Sequence, residues 1–173
     1  MALTLSLISP LLGQPKAMEK GKAHAKLDAL VGTWIAEDPA PTPEGQAEIR
    51  GRSRYAWTVG DVWLREELVG QVPGIGTVHG ATLITHDPTT GNYTGFWMDN
   101  LTPRTYPFRA YWASEEEFVF ESSFDEPFHL TIRFRFRGRD VIDVVHLRRT
   151  GEGPAEEWRR LTLRRHSGSE GTG

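Results

Sequence analysis

Cysteine is absent from the 173 residues. That removes disulfides, thiolate nucleophiles and thiolate metal ligands together. A surplus of charge is missing too: 20 basic side chains stand against 23 acidic ones, a net charge of −3. So even a balance gives no field to steer nucleic acid or an anionic membrane surface. The apolar opening, Met1 to Pro10, is too short to span a bilayer. No Lys or Arg precedes it, and the one Ala-x-Ala, Ala23-His24-Ala25, lies beyond Lys16, Lys20 and Lys22. Those flanks predict a cytoplasmic protein ahead of a secreted one. There is no His-x-His or His-Glu-x-x-His spacing, no Gly-x-Ser-x-Gly, no P-loop and no dinucleotide fingerprint. No metal and no catalytic residue is assigned, and a binding module ranks ahead of an enzyme.

What remains is strongly patterned. The chain is long enough for one domain with a real core. Its six Trp favour a globular β protein over a disordered chain. Residues 1–23 read as a lead-in and the start of a helix, 24–166 as one β domain, and 167–173 as a Gly/Ser-rich disordered tail. Within this, 16–31 reads as a short helix with Gly32 as its stop. Asp38 to Gly45, with three prolines in five residues, reads as a loop between the first two strands.

From Ala47 onward the period is two. Ile49, Gly51, Ser53, Tyr55 and Trp57 share one face, and Arg50, Arg52 and Arg54 the other. Phe128, Leu130, Ile132, Phe134 and Phe136 likewise oppose His129, Thr131, Arg133, Arg135 and Arg137. One face is buried and one wet, as antiparallel sheets allow. Turn signals recur at Val59-Gly60-Asp61, Pro73 to Gly76, Asp87 to Gly91, Ser114-Glu115-Glu116, Asp125-Glu126-Pro127, Gly138-Arg139-Asp140 and Gly151 to Pro154. The expected fold is all-β: a single antiparallel up-and-down barrel of about ten strands, which removes its edges by closing. A barrel that wide leaves room for an interior cavity.

The order Leu30-Val31-Gly32-Thr33-Trp34, Leu64-Arg65-Glu66-Glu67, Gly74-Ile75-Gly76, Gly80, His86 to Tyr93 and Phe96-Trp97-Met98-Asp99 resembles a bacterial family, the domain-of-unknown-function 1579 proteins. The most specific element is Tyr93-x-x-x-Trp97-x-Asp99 behind an Asp-x-x-x-Gly turn. The resemblance spans roughly residues 24–165. It implies a lipocalin-like (calycin) barrel with a helix near one end and a small-molecule cavity, and no established ligand or reaction. The haem-binding nitrobindins are similar in architecture. Their Gly-x-Trp runs on into glycines, whereas Trp34 here runs into Ile35-Ala36-Glu37-Asp38-Pro39.

In such barrels Trp34 plugs the closed end, and a basic side chain of the last strand, Arg159 or Arg165, covers it. Gly32, Trp34, Arg159 and Arg165 are therefore the closure candidates. The cavity candidates are Tyr55, Trp57, Trp97, Phe108, Phe120 and Phe134, with Glu66, His79 and Asp99 as polar fixers of an apolar or amphipathic small molecule. Asp99 has competing readings: a turn cap, a partner for Arg104 or Arg109, or a cavity residue. Glu66 shares a face with Leu64 and Leu68, so inward placement demands a partner. His79 and His146 are the candidate haem ligands, each with the alternative of a satisfied barrel histidine. The arginine ladders read as outer stripes paired with Glu115–Glu117 or Glu121. Nucleic acid and membrane are not expected partners, and the pattern is compatible with a homodimer. Besides simple ligand binding, the pattern leaves three alternatives: a haem protein, an enzyme using Glu66 or Asp99 as acid or base, and a filled structural barrel.

Overall fold

The computed structural model describes residues 17–37, 50–72, 74–123 and 128–168. The apolar opening stretch, the proline loop after Glu37 and the last five residues lie outside them. A five-residue helix, α1 (Lys22–Lys26), runs into a 3-10 turn, Leu27–Ala29. Ten strands follow: β1 (Gly32–Glu37), β2 (Arg50–Thr58), β3 (Trp63–Val72), β4 (Gly76–His86), β5 (Tyr93–Asp99), β6 (Thr105–Trp112), β7 (Glu117–Ser122), β8 (His129–Phe136), β9 (Val141–Arg149) and β10 (Glu156–Arg165). Each pairs antiparallel with the next, and β1 pairs with β10 to close the barrel. The expected meander barrel is the observed fold. Among the described residues no helix is long and apolar enough to cross a membrane.

The helix is shorter than its sequence predicts. Gly32 does not cap it: Leu30 N–H already closes on Leu27 O at 3.0 Å, and Gly32 opens β1. Glycine is needed there because φ is +126° and a Cβ would meet the Arg165 guanidinium at 2.5 Å. The turn from β4 to β5 shows why the Asp-x-x-x-Gly signal works. Asp87 accepts the Thr89 N–H at 2.9 Å and the Thr90 hydroxyl at 3.0 Å, while Gly91 takes φ +72°. The Thr89 bonds, followed by those from Thr90, hold the Asp87 carboxyl below its usual range.

The two ends of the barrel differ. At the helix end the interior is solid. Leu27, Leu30, Trp34, Leu64, Phe118 and Ile142 are fully buried there. The Trp34 indole N–H donates to Leu30 O at 2.7 Å. Arg165 lies 4.3 Å over its ring and donates to Val31 O at 2.5 Å and Ala29 O at 3.2 Å. Its Nε donates to Arg139 O at 2.9 Å. One guanidinium thus ties the helix connection, the β8–β9 turn and the plug together.

His24 of α1 is also buried in this end. Its Nδ1 accepts the Gly21 N–H at 3.2 Å, and Tyr93 donates to Ala23 O at 2.7 Å, so α1 is clamped onto the sheet. On the outer face Arg133 pairs with Glu117 at 3.9 Å, the cross-strand pairing expected of the ladders, and Arg109 pairs likewise with Glu121 at 2.6 Å.

Candidate functional site

The half of the barrel away from α1 is built differently. Strand parity points Ser53 and Tyr55 (β2), Glu66 and Leu68 (β3), Gly80 and Thr82 (β4), and Trp97 (β5) inward on one side. Tyr106 and Phe108 (β6), Phe120 (β7), Leu130 and Ile132 (β8), His146 (β9), and Arg159 and Leu161 (β10) line the other.

Glu66 is the polar centre of the first wall and only 8% exposed. A buried carboxylate is costly unless it is hydrogen-bonded. Ser53 donates to one oxygen at 2.8 Å and Thr82 to the other at 2.5 Å. The Tyr55 hydroxyl also bonds it. Burial, then the Glu66 charge, pushes that phenol well above its ordinary pKa, so it remains a donor. Three hydroxyl groups from two strands, β2 and β4, thus hold one carboxylate in place. Glu66 was legible as inward from its partners Leu64 and Leu68. Ser53 and Thr82 were not singled out, although parity with Tyr55 could have found Ser53.

The apolar floor is aromatic. Phe108 and Phe120 meet edge to face at 5.1 Å, Phe118 and Phe120 at 4.9 Å, and Phe120 and Phe134 lie 5.0 Å apart. Above it Trp97 lies flat on Gly80, where a Cβ would sit 2.0 Å from the indole. Only glycine admits the ring at that spot. The Trp97 N–H donates to Asp99 at 3.0 Å.

The opposite wall is basic. A β-bulge between Glu157 and Arg159 breaks the β10 register. Such an extra residue re-aims side chains. Trp158 consequently meets His146 edge-on at 6.3 Å and Phe128 at 6.1 Å, with the Arg148 guanidinium 6.0 Å over its ring. Burial, with the Arg159 charge as a second cause, pushes the His146 pKa down to about 4, so the imidazole is neutral at pH 7.

Two expectations need correction, and three open readings are decided. His79 is exposed: Val78, Gly80 and Thr82 take the inward positions of β4, so His79 neither fixes a cavity ligand nor reaches an interior haem. Trp57 faces inward but at the helix end. Its N–H donates to Asp28 at 2.6 Å, and Lys20 lies 4.1 Å over its ring, making it part of the plug. Asp99 caps a turn, accepting the Leu101 and Thr102 N–H groups at 2.9 and 3.1 Å. Arg109 pairs with Glu121 instead of Asp99. Arg159 takes no part in closure: its register partner is His146, whereas Arg165 pairs with Trp34. The site residues that do converge are Tyr55, Glu66, Trp97, Phe108, Phe120 and Phe134. Trp158, Arg148, Ile132 and Thr82 were missed. Among the described residues no group of three or more His, Asp or Glu side chains is placed to hold a metal ion.

A ten-stranded closed meander, plugged at one end by a short helix and a covered tryptophan, defines a calycin-like barrel. The chain belongs to the family described as a protein of unknown function, DUF1579, which it matches over residues 19–146. It is similar in structure to an S-type phycobiliprotein lyase, CPES, from Guillardia theta, with a TM-score of 0.53 and 14% identity. The match covers 83% of this chain and 92% of that one, a likeness of fold. No curated protein matches the chain.

Proposed function

We propose that the protein binds a small apolar or amphipathic molecule inside the barrel, in the half away from α1. One observation carries this reading. At the helix end Leu27, Leu30, Trp34, Leu64, Phe118 and Ile142 are fully buried, whereas Trp97, Leu68, Leu130 and Ile132, equally inward, are only half-buried. A filled structural barrel would bury both halves alike. The pattern instead combines apolar walls with a few fixed polar groups, the composition of small-molecule sites. The fold shared with a phycobiliprotein lyase supports the reading, since a barrel of eight or more strands can enclose a ligand.

Binding is favoured over acid–base chemistry by the carboxylates themselves. A general base needs a lone pair turned toward its substrate. Glu66 is bonded by three wall hydroxyls, and Asp99 by its turn and Trp97. For haem, His79 faces solvent, and His146 sits against Trp158 with Arg159 beside it, so no step through that group is derived.

The test is fluorescence titration with cis-parinaric acid and with its methyl ester. At least one should bind saturably, one molecule per barrel. Ile132→Trp, which fills the half-buried region, should weaken binding at least ten-fold with an unchanged far-UV spectrum. Failure of both probes to bind saturably overturns the reading.

A further inference from the structure

We infer that the barrel selects an anionic amphipath, such as a long-chain carboxylate, whose head is held by Arg159 and Arg148 beside Trp158, with its apolar body against Phe108, Phe120 and Ile132. This deepens the proposed binding function and rests on it.

Among the described residues, the charges facing this half of the interior come from four elements. On β3, Glu66 is bonded by hydroxyls from β2 and β4. On β5, Asp99 is bonded by the Trp97 indole and by two backbone N–H groups of its own turn. The donors of these walls are therefore turned onto the walls' own carboxylates, and their negative charge sits away from β9 and β10. Those two strands supply Arg148 and Arg159; His146 is the register partner of Arg159, and the exposed Glu156 that of Arg148. The pKa of His146 keeps it neutral near pH 7, so the positive charge of this wall belongs to the two guanidinium groups.

Each guanidinium carries five N–H donors in a planar fork, which suits a carboxylate held through two oxygens. Arg148 uses its face on Trp158 at 6.0 Å, and stacking leaves the N–H edge available for hydrogen bonds. The bulge at Trp158 matters here. Without it, an alternating strand would turn either Trp158 or Arg159 outward. With it, Trp158 reaches the inward His146 while Arg159 keeps the face of Leu161 and Leu163. Arg159, His146, Ile132 and Phe120 follow one another across the strands, so a cationic head site lies beside the apolar floor, the two halves of an anionic amphipath.

The experiment compares cis-parinaric acid with its methyl ester at pH 8 and low salt, where the acid is ionised and His146 is neutral. Wild type should bind the acid at least ten-fold more tightly than the ester. Salt should erode that preference, because it screens the charge. Arg159→Gln should bring the acid-to-ester ratio to within two-fold of one, and Arg148→Gln should reduce it. Equal binding of acid and ester to wild type overturns this inference while leaving the binding function standing. So does a ten-fold preference that survives both substitutions. Binding of neither probe removes both readings.

Discussion

Trp34→Ala is expected to cost about 3–5 kcal/mol of folding stability, the range for a large buried aromatic cut to alanine. The side chain is fully buried and is the largest of the fully buried residues. Its loss opens a cavity at the one place where helix connection, first strand and last strand meet. It also leaves Leu30 O without the 2.7 Å indole bond, and Arg165 without the ring 4.3 Å beneath it. A domain of this size has roughly 5–15 kcal/mol in total, so the variant should unfold at much lower urea. Equilibrium urea denaturation at pH 7.5 measures this. A loss below 1 kcal/mol would mean that the helix end is not what holds the barrel shut.

Acid should act at the other end. The unfolded chain's imidazole at position 146 takes up a proton as pH falls through 6.5, while the folded one stays neutral until about pH 4. Between those values the unfolded state binds more protons. The stability that His146 contributes is therefore complete above pH 6.5, is lost progressively as pH falls, and levels off below about 4. A shift of that size corresponds to on the order of 3 kcal/mol. His24 adds in the same direction, its pKa lowered by burial first and then by His86 and Lys20. Urea midpoints at pH 7.5 and 4.5 should fall steeply for wild type and much less for His146→Leu. Equal falls in the two proteins would show that His146 is not buried neutral.

The fold was legible because alternation is a local property. The Phe128–Phe136 run fixes β8 and its inward face with no help from the rest of the chain. Gly32 and Trp34 announce the first strand, and face parity narrows the cover of Trp34 to Arg159 or Arg165; the β1–β10 register selects Arg165.

The site was only half legible. In β4 both faces are apolar enough to be the inner one. The choice is made by Trp97, which needs Gly80 beneath it, and by Glu66, which takes the Thr82 hydroxyl. Those partners lie on other strands, so His79 could not be excluded from its own segment. Trp57 shares a face with Tyr55, but what covers it is the segment before β1, through a contact across 29 residues to Asp28 in the 3-10 turn. Trp158 was hidden by the bulge, which breaks the parity rule that would otherwise place it outside. Arg148 and Arg159 read as two more members of an arginine-rich surface until the barrel closed around them.

The half of the interior away from α1 is the proposed binding site. A crystal structure of the protein saturated with cis-parinaric acid tests it directly. The predicted result is one probe inside the barrel, its chain against Trp97, Phe108 and Ile132 and its carboxylate at Arg159 and Arg148. A probe bound on the outer face or beside Trp34 under α1, with the rest of the interior empty, would contradict it.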